Sequence, residues 1–172
     1  MDLRIALLEA HSRSHTEMLR AWIGRDEGRI NELIDLFLND TYQVVQAAAR
    51  VLSELALQAP DLVTPFIGPM LQRCNDQGIP VAVKRNVTRI LQRIAIPEAH
   101  HAAAINLCFG LLADPGETVA VRCFSMGILA QLCGPYPDLK QELKSIISQA
   151  LEQENPTAGF RSKARRVLPA LG

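Results

Sequence analysis

Four basic side chains close together in the sequence are the first candidates for chemistry. They lie in the segment 81–93 and are Lys84, Arg85, Arg89 and Arg93. The apolar residues of the same segment recur with the spacing of one helical face: Val83, Val87, Ile90 and Leu91. The segment therefore predicts an amphipathic helix, with one side in the core and a cluster of positive charge on the other. Such a surface can bind an acidic protein segment or a phosphate backbone.

Apolar helical faces of this kind occur three more times, and their last leucines can be aligned. The intervals are 39, 38 and 39 residues, between Leu52, Leu91, Leu129 and Leu168. Another amphipathic segment precedes each of them. A period near 40 residues built from two helices is typical of α-solenoids, in which each pair stacks on its neighbours to bury its apolar face. We therefore expect an all-α fold, a right-handed α-solenoid (α-α superhelix) of about four helix pairs plus an N-terminal helical cap.

The predicted helices divide the chain into a cap and four repeats within one continuous domain. The cap occupies residues 1–28 and contains one long helix, or two short ones broken near Ser12 to Ser14. The array occupies residues 29–172, with repeats at approximately 29–60, 61–97, 98–135 and 136–172.

Prolines indicate where individual helices begin, bend or end. Pro65 can be accommodated in an opening turn, whereas Pro69 is expected to kink the same helix. The basic helix described above follows Pro80 and is expected to continue to Pro97.

Acidic and basic residues recur at matching points of the repeats. Seven positions before the aligned leucines stand Val45, Lys84, Arg122 and Arg161, and the inter-helix turns carry Asp40, Asp76, Asp114 and Glu154. In this the chain resembles HEAT-type (armadillo-like) repeats over about residues 30–171. The resemblance implies that these residues tie successive repeats together. Because Val45 departs from the pattern, the first repeat either lacks that tie or is a modified end repeat.

Two short segments extend this resemblance. AVKRN (82–86) and GFRSKARRVL (159–168) are similar to small bacterial HEAT-like proteins of unassigned function. That likeness implies a kind of protein and no particular activity.

Charge is unevenly distributed between the two helices of each pair. The second helices, taken as 44–58, 81–96, 119–132 and 158–170, hold ten basic residues and one acid, Glu54. The rest of the chain holds 8 basic and 17 acidic residues. Positive and negative charges are therefore segregated between different helices, although the formal net charge is zero. Second helices line the concave face in solenoids of this type, and we expect that face to be positive.

The residues predicted to bind a partner are six of the seven basic residues of the second helices that the repeat ties do not use: Arg50, Arg85, Arg89, Arg93, Lys163 and Arg166. An ordinary solvated helix face is the alternative. Cations late in a helix are favoured by its dipole by roughly 0.3–1 kcal/mol each, which accounts for part of the excess.

The predicted function is a non-enzymatic interaction module or scaffold that binds an acidic protein partner. Sequence-independent binding of nucleic acid is the alternative, but only 5% of the residues are aromatic, which leaves little to stack on bases. HEAT-like glycosylases for alkylated DNA bases are a more remote alternative. That family needs an acidic catalytic residue beside aromatic side chains, and the second helices carry only Glu54 and no tryptophan.

Neither a catalytic residue nor a metal ligand is predicted, and no cofactor is expected. His11 and His15 have the spacing of two metal ligands on a helix, but no third ligand accompanies them. His100 and His101 are expected to be exposed at a helix start. The four cysteines sit within helical patterns and are expected to be reduced thiols in or near the core.

We expect a folded protein from the composition, and a cytoplasmic location as the default. Hydrophobic residues make up 48% and charged residues 21%, which is near the globular average. No segment has the roughly 18 consecutive apolar residues of a membrane span, and the first residues do not resemble a secretory signal. The oligomeric state stays open, and end-to-end dimerisation is an alternative because a short array leaves two exposed ends.

Overall fold

The computed structural model describes residues 1–9, 12–153 and 155–172. Every regular element within these residues is helical, and the α-helices are α1 (Leu3–Glu9), α2 (Arg13–Ile23), α3 (Glu27–Asn39), α4 (Tyr42–Gln58), α5 (Pro60–Val63), α6 (Ile67–Cys74), α7 (Val81–Leu91), α8 (His101–Ala113), α9 (Val119–Leu132), α10 (Leu139–Gln153) and α11 (Ala158–Leu171). Two short 3-10 helices lie at Thr64–Phe66 and Glu98–His100. The all-α fold class is confirmed.

The α-helices pack in consecutive pairs, as the aligned leucines predicted. The pairs are α3 with α4, α6 with α7, α8 with α9, and α10 with α11. The aligned leucines of the first three pairs are fully buried: Leu52, Leu91 and Leu129. Contacts cluster into two compact units, Met1–Ile96 and Pro97–Gly172. The first two pairs belong to the N-terminal unit and the last two to the C-terminal unit.

Helix α4 is the centre of the N-terminal unit, where it contacts α1, α2, α3, α5 and α7. Its buried residues occupy most of its circumference, which is possible because several of them are small: Val44, Val45, Ala47, Ala48, Ala49, Val51, Leu52, Ser53, Leu55 and Ala56. Small side chains allow neighbouring helices to approach closely on more than one side. The remaining polar stripe of α4 is the part that faces the cavity described below.

The cap contains two helices, in agreement with the second of the two alternatives for residues 2–23. Ser12 caps α2 by accepting a hydrogen bond from the backbone N–H of His15, and Asp26 caps α3 through the N–H of Arg29. Helix α1 is tied to the end of α3, because Arg4 donates to the carboxylate of Asp40. The first repeat has Val45 where the other repeats have a basic residue. The basic residue that pairs with Asp40 therefore comes from the cap.

The region around Pro65 and Pro69 differs from the predicted kink at Pro69. The irregular segment is the 3-10 helix Thr64–Phe66, which contains Pro65. Pro69 lies in the first turn of α6, where backbone N–H groups have no intrahelical partner and proline costs little.

Helix α7 is shorter than predicted. It begins after Pro80, as expected, but ends at Leu91 instead of continuing to Pro97. Arg93 lies in the turn that follows, where its backbone N–H donates to the carbonyl of Ile90. The sequence pattern missed this end because Ile94 is also buried, which extends the apolar period beyond the helix.

The C-terminal unit is organised around α9, which packs against α8, α10 and α11. Arg122 of α9 is buried and donates from Nε to the carbonyl of Leu112, at the end of α8, over 2.9 Å. Its guanidinium also lies over the ring of Phe160 in α11, 4.7 Å from the centroid. Arg122 thus connects the two helices of its own pair through the Leu112 carbonyl and reaches the next pair through the ring of Phe160.

His101 is not simply exposed, as predicted, but half-buried in the C-terminal unit. Its Nδ1 lies 3.1 Å from the hydroxyl of Tyr136, and the two rings meet edge to face. His100, also expected to be exposed, is half-buried as well. None of the four cysteines is in a disulfide bond; Cys74, Cys108 and Cys133 are buried and Cys123 is half-buried. This agrees with core or near-core thiols.

Candidate binding site

A cavity of about 480 Å³ lies in the N-terminal unit between α2, α4 and the end of α7. Its volume falls in the range of small-ligand sites. Each helix contributes polar or charged side chains, and the lining residues are Ser12, Arg13, Thr16, Glu17, Arg50, Ser53, Glu54, Gln58, Arg89 and Arg93. The cavity therefore has three walls, one from α2, one from α4 and one from the end of α7.

The central wall comes from the polar stripe of α4. Its members recur at intervals of three or four residues and therefore share one helical face: Arg50, Ser53, Glu54 and Gln58. The opposite side of α4 is in the core, with Leu52 and Leu55 almost completely buried. Burial of the apolar side fixes the direction in which the polar stripe points.

The second wall comes from α7 and the turn after it. Arg89 is half-buried, and its Nη2 donates to Ser53 Oγ on α4 over 2.8 Å. Ser53 Oγ in turn donates to the carbonyl of Ala49 over 2.6 Å, which fixes the hydroxyl. Arg89 is thus held against the central wall by a residue that is itself anchored to its own helix.

The guanidinium of Arg89 is in an environment that is energetically unfavourable for a positive charge. Its Nε is buried and has no hydrogen-bond partner among the described residues. Burial lowers the pKa of Arg89 from its usual value, and the positive charges of Arg93 and Arg85 lower it further. The site therefore concentrates positive charge where water solvates it poorly.

The third wall comes from α2, which the sequence analysis had assigned only to the cap. Arg13 and Glu17 lie on the side of α2 away from its buried residues Leu19 and Ile23, and Thr16 lies at the edge of the buried face. Polar residues spaced three and four apart were the available signal. This spacing predicts an exposed helix face. Nothing in the sequence indicates that the face lies beside α4.

Glu17 contributes less negative charge to the cavity than its type suggests. Arg20, one turn along α2, donates to both of its carboxylate oxygens, with Nε at 3.1 and 3.0 Å. The hydrogen bonds from Arg20 lower the pKa of Glu17, so its carboxylate is ionised and already paired. Glu54 is the other acid in the lining.

The lining carries a net positive formal charge. Its arginines are Arg13, Arg50, Arg89 and Arg93, and its acids are Glu17 and Glu54, which gives a formal net charge of +2. No aromatic side chain is among the described lining residues, so these residues offer no ring on which a base could stack. The arrangement is suited to binding an anion through arginine.

The structure brings together three of the six residues predicted to bind a partner. Arg50, Arg89 and Arg93 line the cavity. Arg85 is half-buried on α7, one turn before Arg89, and is not among the described lining residues. In the C-terminal unit, Lys163 is half-buried and Arg166 is exposed, both on α11. The binding role of all six residues remains a prediction.

The histidine pair considered as metal ligands is only partly described. His11 lies outside the described residues, and His15 Nε2 donates to the carbonyl of Ala6 over 2.7 Å. The described part of the chain contains no group of three or more His, Cys, Asp or Glu side chains arranged to hold a metal ion.

None of the described helices combines the length and apolar character required to cross a membrane.

Comparison with known proteins connects this architecture to one family. A family model described as the HEAT repeat domain matches residues 3–171, which is nearly the whole chain and includes the two cap helices. No curated protein and no solved structure matches the sequence.

Proposed function

This chain belongs to the HEAT repeat family of α-solenoids, and we propose that it is a non-enzymatic interaction scaffold that binds an acidic protein partner. The family suggests a protein-interaction role. The nature of the partner and the residues that bind it are our inference from the charge distribution.

The cationic cavity between α2, α4 and α7 is the observation that carries the proposal. Three arginines from two repeats converge there: Arg50, Arg89 and Arg93. Arginine forms planar, bidentate hydrogen bonds with carboxylates, which favours acidic side chains as the groups recognised. Arg85 would extend this surface along α7, and Lys163 with Arg166 would form a basic surface on α11.

Nucleic acid is the second candidate, because the same arginines could contact phosphates. Sequence-independent binding of this kind releases counterions, so its affinity falls steeply as salt increases. We place it second because the described cavity lining has no aromatic side chain. Single-stranded nucleic acid is usually held by stacking as well as by charge.

A DNA glycosylase is the enzyme alternative, and the cavity supports it poorly. The lining does contain two acids, but the carboxylate of Glu17 is held by Arg20. The aromatic residues that such an enzyme needs beside its acid are not among the described lining residues. Release of an alkylated base that is lost on replacing Glu54 by Gln would contradict the non-enzymatic proposal.

Direct titration tests the proposed function. We would titrate the purified protein, by fluorescence anisotropy, into a labelled twelve-residue polyglutamate peptide and into single- and double-stranded DNA and RNA of matched charge, at two salt concentrations. The expected result is binding of the peptide that is lost in the double variant Arg85→Glu/Arg93→Glu. Preferential, salt-sensitive binding of nucleic acid would move the second candidate to first place.

Arg25→Glu is the matched control. Arg25 is exposed, belongs to the same unit and is paired with Asp61, away from the cavity. It reverses one charge, half the change made in the double variant, so a comparable loss of peptide binding in this variant would indicate a nonspecific effect of net charge. Equal binding by the wild type and the double variant would contradict the proposal, provided that both have the same melting temperature.

A further inference from the structure

The arginines that line the cavity come from three separate segments of the chain. Arg13 comes from α2, Arg50 from α4, and Arg89 and Arg93 from the end of α7 and the turn after it. An acidic peptide in extended form spaces its residues by about 3.3 Å and spreads its charge along its length. Arginines placed around one cavity from three segments are better matched to a single compact anion.

The charge of the cavity matches that of a phosphate monoester. Its formal net charge is +2, from four arginines and two glutamates. A phosphorylated serine or threonine carries about −1.5 to −2 at neutral pH, whereas a carboxylate carries only one negative charge. Arginine is also the residue whose fork of N–H groups fits phosphate oxygens.

Arg89 keeps hydrogen-bond donors for a ligand, whereas two hydroxyls of the lining are already engaged. The hydroxyls of Thr16 and Ser53 donate to carbonyls of their own helices, at Ser12 and Ala49. Ser53 accepts one hydrogen bond from Arg89, and a guanidinium has five N–H groups. Ser53 therefore holds Arg89 in place while leaving most of its donors for an anion, and such preorganisation lowers the entropic cost of binding.

Arg89 also experiences repulsion that an anion would relieve. Burial and the charges of Arg93 and Arg85 lower the pKa of Arg89. Arg85 and Arg89 lie one helical turn apart on α7, and Arg93 follows in the turn after the helix. An anion placed between Arg89 and Arg93 would offset the desolvation cost of burying Arg89. It would also offset the repulsion between the two cations.

From these observations, and resting on the proposed function, we propose that the cavity between α2, α4 and α7 holds a phosphate monoester on a serine or threonine side chain of the protein partner. The volume of about 480 Å³ accommodates a phosphorylated side chain together with its backbone. The described lining has no aromatic side chain to hold a nucleotide base.

The test uses small probes and the full chain. We would titrate ¹⁵N-labelled protein with N-acetyl-O-phosphoserine methylamide and follow the Nε–Hε resonances of the arginines by NMR. The comparison ligands, at equal ionic strength, are N-acetylglutamate methylamide, inorganic phosphate and adenosine 5′-monophosphate. We expect the phosphoserine compound to shift the Arg89 resonance and to bind about tenfold more tightly than the glutamate compound.

Matched variants locate the binding. Arg13→Gln and Arg93→Gln should each weaken binding of the phosphoserine compound by about tenfold, because both residues line the cavity. Arg25→Gln should leave it within about twofold, since Arg25 is paired with Asp61 and is not among the described lining residues. Arg13 and Arg93 are both exposed, so their replacement should not prevent folding.

Several results would overturn this inference. They are equal affinity for the phosphoserine and glutamate compounds, tighter binding of adenosine 5′-monophosphate or inorganic phosphate than of the phosphoserine compound, and loss of binding in Arg25→Gln but not in Arg93→Gln. If the polyglutamate peptide binds but phosphoserine has no advantage over glutamate, the proposed function stands and only this inference fails. If neither the peptide nor the phosphoserine compound binds, both fail.

Discussion

Arg4 and Asp40, 36 residues apart, form a two-pronged ion pair that joins the cap to the first repeat. Arg4 Nε and Nη2 donate to the two carboxylate oxygens of Asp40 over 2.8 and 3.0 Å. The hydrogen bond from Arg4 is the main reason that the pKa of Asp40 falls from 3.8 to about 2. In the first repeat, Val45 occupies the position where the pattern has a basic residue. The cap supplies that basic residue instead, as Arg4.

This pair predicts a pH-dependent contribution to stability. Because the pKa of Asp40 is lower in the folded protein, the pair stabilises the fold above pH 3.8, and this stabilisation is lost as the pH falls towards 2. Arg4→Ala should therefore destabilise the protein at pH 7, with a difference from wild type that shrinks between pH 4 and pH 2. Urea denaturation at several pH values measures it. In an Asp40→Asn background, Arg4→Ala should have little further effect, and an undiminished effect there would refute the assignment.

The Ser53 hydroxyl is predicted to matter mainly through Arg89. Ser53→Ala removes the acceptor that holds Arg89 Nη2, leaving a second donor of that side chain unpaired. We expect a loss of about 1–3 kcal/mol in the free energy of unfolding, measured by chemical denaturation. The double variant Ser53→Ala/Arg89→Met should lose less than the sum of the single variants. Strict additivity would mean that the two side chains do not interact.

Arg122 should be the most sensitive charged residue of the C-terminal unit. Arg122→Ala leaves the Leu112 carbonyl without this donor and removes the cation over Phe160, so we expect a loss of about 2–4 kcal/mol. Phe160→Leu keeps an apolar side chain and isolates the ring contact, with an expected cost near 1 kcal/mol. Both are measured by denaturant unfolding. A cost for Arg122→Ala no larger than that for Phe160→Leu would show that the carbonyl contact contributes nothing.

Two leucines of α4 test its central position. Leu52 is fully buried, whereas Leu57 is 52% exposed on the same helix. Leu52→Ala should cost about 2–5 kcal/mol because it leaves a cavity, and Leu57→Ala should cost less than about 0.5 kcal/mol. The melting temperatures of the two variants give the comparison. Similar losses would mean that α4 is not packed as described.

Periodicity predicted the helices and their pairing because burial on one side repeats every three to four residues. Leu52, Leu91 and Leu129 are buried at equivalent places for that reason. The same pattern misplaced the end of α7, since burial of Ile94 continues the period after the helix has ended. Hydrophobic pattern reports burial, and it does not report where backbone hydrogen bonding stops.

The cavity could be predicted only in part, for a related reason. Arg50, Arg89 and Arg93 were found from the charge difference between first and second helices. Arg13 and Glu17 were missed, because a polar face on α2 is equally consistent with contact to solvent alone. The pairing of Arg4 with Asp40 spans 36 residues and has no periodic signal at all. Contacts between the cap and the repeats depend on tertiary packing, which a pattern within one helix does not encode.

The position of α2 has a consequence for hydrogen exchange. One wall of the cavity belongs to α4, the most enclosed helix of its unit, and another to α2, a peripheral helix held through Leu19 and Ile23. Detachment of α2 would dismantle the cavity without unfolding α4, so the amides of α2 should exchange with solvent faster than those of α4. Any ligand that needs both walls can bind only while α2 is attached, and saturating ligand should slow exchange in α2 selectively.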